Sequence, residues 1–335
     1  MQANRPHEPS YGGISTFSKL PLVLDPAGLD GIDVAILGAP FDETVSNRPG
    51  ARYGPRAIRA ADDSAGVPPS RPHMWLGIDP FAELRVVDYG DAETVSGNPA
   101  ESHAQVRRRV SEICAAGAIP IILGGDHSVA HPNLAAVAEH RGKGAVGVIH
   151  FDAHADTAAD LRGVVRSHGT PMRLVVDEGW VRGDRFIQVG LRGWWPGPEE
   201  FAWMRQVGFH WYTMYELDER GFDVCLSEVI RTAAGWGQPV FLSIDIDALD
   251  PAYAPGTGTP EVGGLTMREL LRGARRITAE LPIVAVELVE VAPVYDPSGI
   301  TAVNAHRLVL EILSGLALAR SAREPQPEHD GRPHV

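Results

Sequence analysis

Three short segments hold the residues best suited to chemistry: Gly124-Gly125-Asp126-His127-Ser128, Asp152-Ala153-His154-Ala155-Asp156 and Asp245-Ile246-Asp247. Each follows a short apolar, β-branched run, at 119–123, 146–151 and 240–244. An extended backbone puts side chains i, i+2 and i+4 on one face, so Asp152, His154 and Asp156 can converge, as can Asp245 and Asp247. With His127 they make four carboxylates and two imidazoles without a thiolate. This oxygen-rich set suits manganese or another borderline-hard divalent ion better than a structural zinc. Six ligands exceed the need of one ion, and two divalent ions balance four negative charges. Without such ions, carboxylates crowded into a sheet's crevice repel one another at a large desolvation cost. Two ions roughly 3.5–4 Å apart can hold a water between them and bring its pKa from about 15.7 toward about 7, supplying hydroxide at neutral pH. A single Asp-x-His is an ordinary turn; three such groups, each at a strand end, point to a two-ion hydrolytic centre.

Those segments need a scaffold that sets strand ends side by side. Apolar runs recur at 33–37, 84–87, 119–123, 146–151, 186–189, 240–244 and 283–288. Amphipathic or alanine-rich stretches at 101–116, 199–206, 267–280 and 302–319 alternate with them. The alternation predicts an α/β fold with a mostly parallel sheet covered by helices on both faces. Ligands in such sheets bind beyond the carboxyl ends of the strands, where the polar segments fall. No Ser/Gly-rich linker or repeat interrupts the chain, so one domain is expected over residues 1–335. Its polar, proline-bearing ends, 1–21 and 321–335, are expected to be poorly ordered arms.

Composition narrows the partners. With 44% hydrophobic and 22% charged residues the 335-residue chain reads as globular, long enough for one large core. A formal charge of −13 and a pI near 5.4 argue against a nucleic-acid footprint and favour a cationic small-molecule substrate. No apolar run approaches the ~20 residues of a membrane span and residues 1–10 lack an apolar signal core, so a cytoplasmic protein without a membrane partner is expected. Cys114 and Cys225 are too few and too isolated for a disulfide framework, and read as core residues.

The blocks GGDHS at 124–128, DAHAD at 152–156, SIDIDALDPAYAPGTGTPEVGGL at 243–265 and VEVAP at 289–293, with GAPFD at 38–42 and GARYGPRAIR at 50–59, resemble the ureohydrolase family. Its members split guanidino groups and release urea, and the resemblance runs from about Gly38 to Leu313. It implies a three-layer α/β/α sandwich around an eight-stranded parallel sheet, and a homotrimer or homohexamer. It also implies two manganese ions, one held by His127, Asp152, Asp156 and Asp245, the other by Asp152, His154, Asp245 and Asp247. His168, in the SHGT stretch at 167–170, is implied as a proton shuttle to the leaving amine, a role open to Asp156 as well. Glu290 is implied as the carboxylate that holds the guanidinium by charge-assisted hydrogen bonds. Glu287 stands where many relatives have aspartate and Ile244 where many have phenylalanine; neither removes a ligand. His150 is expected to pack behind the site.

Arginase-like members place Asn and Ser after the second block, and 157–162 (TAADLR) lacks that asparagine, which disfavours arginine. The wording of 254–264 and 167–172 resembles agmatinases, implying hydrolysis of agmatine to urea and putrescine. Asp160 or Glu216 would then pair with the substrate's ammonium, Trp194 and Trp195 would pack on its alkyl chain or guanidinium, and Thr259 would be a further contact. Arg162 and Arg166 pull toward a guanidino acid such as 4-guanidinobutyrate or 3-guanidinopropionate. Two readings of another class are a single-metal polyamine deacetylase, disfavoured by the intact His127 and Asp156, and a non-catalytic family member, which would have lost ligands.

Overall fold

The computed structural model describes residues 12–61 and 72–322. These form eight strands: β1 Val34–Ala39, β2 Val86–Asp91, β3 Ile119–Gly124, β4 Gly147–Phe151, β5 Phe186–Leu191, β6 His210–Thr213, β7 Val240–Asp245 and β8 Ile283–Val289. The helices are α1 Gly54–Ala60, α2 Pro80–Glu83, α3 Pro99–Ala115, α4 Ala130–Arg141, α5 Pro171–Asp177, α6 Pro198–Val207, α7 Met214–Arg220, α8 Phe222–Gly235, α9 Met267–Glu280 and α10 Ile300–Ser321. All strands join one sheet in the order β2-β1-β3-β8-β7-β4-β5-β6, and every pairing is parallel.

Strands buried on both faces read as continuous apolar runs, and that is how seven of the eight were legible. Side-chain alternation then divides the core into two layers. Ile36, Ile121, Phe151 and Leu242 pack with α8, α9 and α10 on one face, whereas Leu37, Ile122, Val148 and Phe241 pack with α3, α4 and α5 on the other. The unforeseen strand is β6, an edge strand that is only partly buried and so carries no apolar run. Helix α4 escaped for the opposite reason: nine of its twelve residues are buried, which leaves no polar face to set a 3.6-residue period. Helix α9 is better marked, with a Thr266/Glu269 capping box in which Glu269 N donates to Thr266 Oγ1 at 3.3 Å and Thr266 N to Glu269 Oε2 at 2.8 Å.

Two expectations need correction. Part of the N-terminal arm is packed: Phe17 and Ser18 are buried, the Phe17 ring stacks on His306 at 4.3 Å, and Phe17 N donates to Asp88 Oδ2 at 2.8 Å. The remainder of the expected arms, 1–11 and 323–335, lies outside the described residues. Helix α10 spans 22 residues and is long and apolar enough to cross a membrane by length and composition. Twelve of those residues are buried within the protein, where α10 lies along α9, so their apolarity has a packing explanation.

The sheet order makes β3, β8, β7 and β4 consecutive neighbours. Their carboxyl ends carry His127, Glu290, Asp245 with Asp247, and Asp152 through Asp156, respectively.

Candidate metal centre and catalytic cavity

After β3 the chain passes so close to Phe41 that a Cβ on Gly125 would lie 1.7 Å from the Phe41 carbonyl oxygen, and Asp126 N donates to that oxygen at 2.7 Å. This contact turns the backbone and drops His127 into a buried 3-10 turn. Asp156 and Glu290 both adopt left-handed backbone, with φ of 53° and 63°. That region is costly for residues other than glycine and concentrates at functional sites.

The six residues expected to converge do so. His127 Nδ1 lies 3.1 Å from Asp152 Oδ2, 3.0 Å from Asp156 Oδ2 and 3.2 Å from Asp245 Oδ2. His154 Nδ1 lies 3.1 Å from Asp247 Oδ2 and 3.5 Å from Asp152 Oδ1. Asp247 N donates to Asp245 Oδ1 at 2.8 Å and Ala153 N to Asp247 Oδ1 at 3.2 Å, locking the carboxylates to the strand ends.

Two residues below these carboxylates, a row of buried polar side chains runs across the sheet. The register aligns Gln188 with His150, His150 with Ser243 and Ser243 with Glu287. Asn133 Nδ2 donates to Glu287 Oε2 at 2.7 Å, and Ser243 Oγ donates to Glu287 Oε1 at 2.8 Å. A hydroxyl has one hydrogen, so Ser243 must accept from His127 Nε2–H, 3.0 Å away. On the other side Gln188 Nε2 donates to His150 Nδ1 at 3.1 Å, which leaves His150 Nε2–H to donate to Asp152 Oδ2 at 2.9 Å. His150 thus packs behind the site and holds Asp152, while Glu287, through Ser243, holds His127.

These bonds turn His127 Nδ1 toward three carboxylate oxygens. That buried nitrogen has no partner in hydrogen-bonding geometry, although all three oxygens lie within 3.2 Å. Oxygens surrounding a nitrogen away from its donor axis make a coordination shell, and the donor set fits divalent cations. Electrostatics agree. Burial opposes the charged ring, yet the negative charge of Asp152, Asp156 and Asp245 crowded around it holds His127 well above the usual imidazole value. His154 is raised against the same burial penalty by Asp247 and Asp152. Burial, Asp247 and Asp152 push Asp245 well above the usual carboxylate range. The pocket demands positive charge.

A cavity of about 180 Å³ opens beside this cluster, lined by Ser46, His154, Asp156, Leu161, His168, Gly169, Trp195, Asp245 and Thr259. His168 Nδ1 lies 3.1 Å from Glu290 Oε1, which also accepts from His127 N at 2.9 Å. Glu290 therefore stands behind His168, with its Oε2 buried and unpaired. Thr259 lines the cavity as expected and donates to Asp247 Oδ2 at 3.3 Å.

Four other expected substrate contacts are corrected. Asp160 is exposed and absent from the lining, because its Oδ1 closes a turn by accepting from Gly163 N at 2.7 Å. Arg162 follows in left-handed backbone, φ 54°, and is exposed. Trp194 is 96% exposed, whereas its neighbour Trp195 turns inward, its ring centroid 6.1 Å from that of His154. Glu216 is taken by an ion pair with Arg220 on α7. Sequence reasoning missed Ser46 and Leu161. Both lie in loops, and no periodicity or residue type sets them apart.

Asp126 and Ser128 of the first block bond to each other and are not among the six residues of the cluster. Ser128 Oγ donates to Asp126 and meets His103 Nε2 at 3.0 Å, and the His103 ring packs edge-on against Phe41 at 4.9 Å. Burial, then the charges of His131 and Arg166, lower the His103 pKa to about 4. The folded value lies below the unfolded one, so this stabilisation is full above about pH 6.5 and fades as pH falls toward 4. Urea denaturation at pH 7 and pH 4.5 is expected to show wild type losing about 2–3 kcal/mol more than His103→Gln over that interval. Equal losses would contradict this assignment.

Comparison with known proteins identifies the class. The Arginase family model matches residues 32–315, and the chain belongs to that family. It is a ureohydrolase, an enzyme that hydrolyses guanidino groups. It is 40% identical over 308 residues to a guanidinobutyrase of Pseudomonas aeruginosa, covering 91% of this chain and 93% of that protein. It is 42% identical over 306 residues to the mitochondrial agmatinase of Gallus gallus, covering 90% and 85%. Among solved structures, the proclavaminate amidino hydrolase of Streptomyces clavuligerus superposes with a TM-score of 0.85 at 35% identity, covering 93% of this chain and all of that one.

Proposed function

We propose that the chain hydrolyses agmatine to urea and putrescine at a centre built for two divalent ions, with manganese as the ion the oxygen-rich donor set favours. The carrying observation is the convergence of four carboxylates and two imidazoles at one end of a cavity. His127, Asp152, Asp156 and Asp245 would hold one ion, and Asp152, His154, Asp245 and Asp247 the other. When bound, two such ions would lower the pKa of a water enough to supply hydroxide at neutral pH.

The chain supplies the rest. Glu290 is fixed through Oε1 by His127 N and His168, so its unpaired Oε2 is the atom free to accept a guanidinium N–H. Leu161 and Trp195 line the cavity and offer an apolar wall to a substrate's alkyl chain. His168, on the same wall, moves a proton to the departing amine, a task that Asp156 in the same lining could share.

Among the described residues the cavity lining contains no lysine or arginine, which favours a substrate whose far end is not anionic. Similarity to a guanidinobutyrase favours a second reading, a guanidino acid such as 4-guanidinobutyrate or 3-guanidinopropionate, whose carboxylate would have to draw in the exposed Arg162 beyond Leu161. The test is urea release by manganese-loaded protein from agmatine, arginine and both guanidino acids. Agmatine is expected to be fastest, and Arg162→Ala to leave its kcat/KM unchanged. A guanidino acid turned over faster, with a loss of about tenfold or more in Arg162→Ala, would transfer the assignment to the second reading. No urea from any of these compounds would overturn both. Homotrimer or homohexamer assembly is proposed on the resemblance alone, and sedimentation velocity tests it.

A further inference from the structure

Ser46 lies in the loop between β1 and α1, far in sequence from the other site residues, yet it forms part of the cavity wall. Its backbone N–H donates to His168 Nε2 at 3.0 Å, and its Oγ lies 3.0 Å from the same nitrogen. On the other side of the ring, Nδ1 faces Glu290 Oε1 at 3.1 Å. A backbone N–H can only donate, so with it on Nε2 the neutral ring carries its hydrogen on Nδ1 and gives it to Glu290. A protonated ring offers no lone pair at Nε2 and needs an acceptor there instead. Ser46 Oγ is one, at the same distance.

We propose that Ser46 is a positioning residue for His168, its N–H holding the neutral imidazole and its Oγ holding the protonated one, so that the ring exchanges a proton at Nε2 without leaving its place. The inference rests on the shuttle role of His168 proposed above. In that role His168 gives the Nε2 proton to the departing amine, which keeps the electron pair of the broken C–N bond. The ring regains a proton from the water consumed, so the count closes over one turnover.

The surrounding loop holds this cradle in place. Buried Asp126 accepts from Thr44 N at 3.0 Å and Thr44 Oγ1 at 2.9 Å. His168 N donates to Thr44 O at 3.4 Å, and Gly50 N donates to Asp42 Oδ2 at 2.6 Å. The loop and the His168 segment are therefore tied at the main chain as well as at the ring. The charged groups facing His168 are Glu290, Asp156 and Asp126, with His154 and Asp245 on the same cavity wall. Burial opposes the protonated ring, and Glu290, Asp156 and Asp126 outweigh it, raising the pKa to about 9.

The experiment compares wild type, Ser46→Ala, Ser46→Thr and His168→Asn as metal-loaded proteins. Three quantities are read: bound metal, the pH profile of kcat with manganese, and the His168 ring-nitrogen shifts by 15N NMR with diamagnetic zinc. Ser46→Ala keeps the backbone donor and removes only the acceptor for the protonated ring. The His168 midpoint and the alkaline limb of kcat are both expected to fall by about one unit, with KM and metal content unchanged. Ser46→Thr, which restores the hydroxyl, is expected to return both. A midpoint and limb that stay put or rise in Ser46→Ala overturn the inference. His168→Asn separates the two ideas: if it retains wild-type kcat the shuttle reading falls, whereas if it is inactive and Ser46→Ala is unmoved, only the role of Ser46 falls.

Discussion

Asp245→Asn is expected to reduce urea release about a thousandfold or more while making the metal-free protein more stable. The two effects share one cause. Asp245 is buried, sits 3.2 Å from His127 Nδ1, and is pushed well above the usual carboxylate range by burial and by its neighbours Asp247 and Asp152. With divalent ions present, that negative charge, like that of Asp152, would serve both ions of the proposed centre. Without them it is crowded against like charge, and a neutral amide of the same shape relieves the crowding. Asparagine keeps the oxygen that accepts from Asp247 N at 2.8 Å, so the turn after β7 persists. Removing a buried like charge is worth about 1–3 kcal/mol. The checks are urea release, bound metal per chain, and the melting temperature after chelation. A variant that keeps two ions per chain and near-native activity would remove Asp245 from the centre. A chelated variant melting below chelated wild type would show that its charge is well accommodated.

Glu290→Gln is expected to lower kcat/KM by about 100- to 1000-fold, equivalent to about 3–4 kcal/mol of transition-state stabilisation, while leaving bound metal unchanged. Glutamine retains an oxygen to accept from His127 N at 2.9 Å and from His168 at 3.1 Å, so the backbone arrangement of the site should survive. It loses the charge that would make the bond from a guanidinium N–H to Oε2 a strong one. Parallel kinetics and metal analysis decide the matter. If metal content falls together with activity, Glu290 acts by supporting the turn that carries His127; if neither changes, it does not contact the substrate.

Much of this was legible in the sequence, and the reasons are physical. A strand buried on both faces cannot alternate, so β1, β3, β4, β7 and β8 appear as apolar runs, and the two-residue spacing that follows fixes which polar side chains share a face. That parity brought Asp152, His154 and Asp156 to the same place as Asp245 and Asp247. It fails once the chain leaves the strand. Trp194 and Trp195 are adjacent in an irregular turn, and only the fold decides that Trp195 faces the cavity. Asp160 has a suitable charge, but the Gly163 turn consumes its oxygen. Ser46 meets His168 across 122 residues of chain, because β1 and β4 end on the same side of the sheet. Strand β6 was hidden by its position at the edge, and α4 by being buried nearly all round.

The polar row beneath the cluster also bears on ion choice. Glu287 and Ser243 orient His127, and Gln188 and His150 orient Asp152, through bonds made wholly within the protein. Held from behind in this way, His127 and Asp152 would offer a divalent ion a cage of set width. A soft cage closes on whichever divalent ion binds most tightly, and ranks the metals by intrinsic affinity. A stiff one ranks them by radius and preferred geometry, and at the proposed centre selectivity among first-row metals would be set two residues below the ligating atoms.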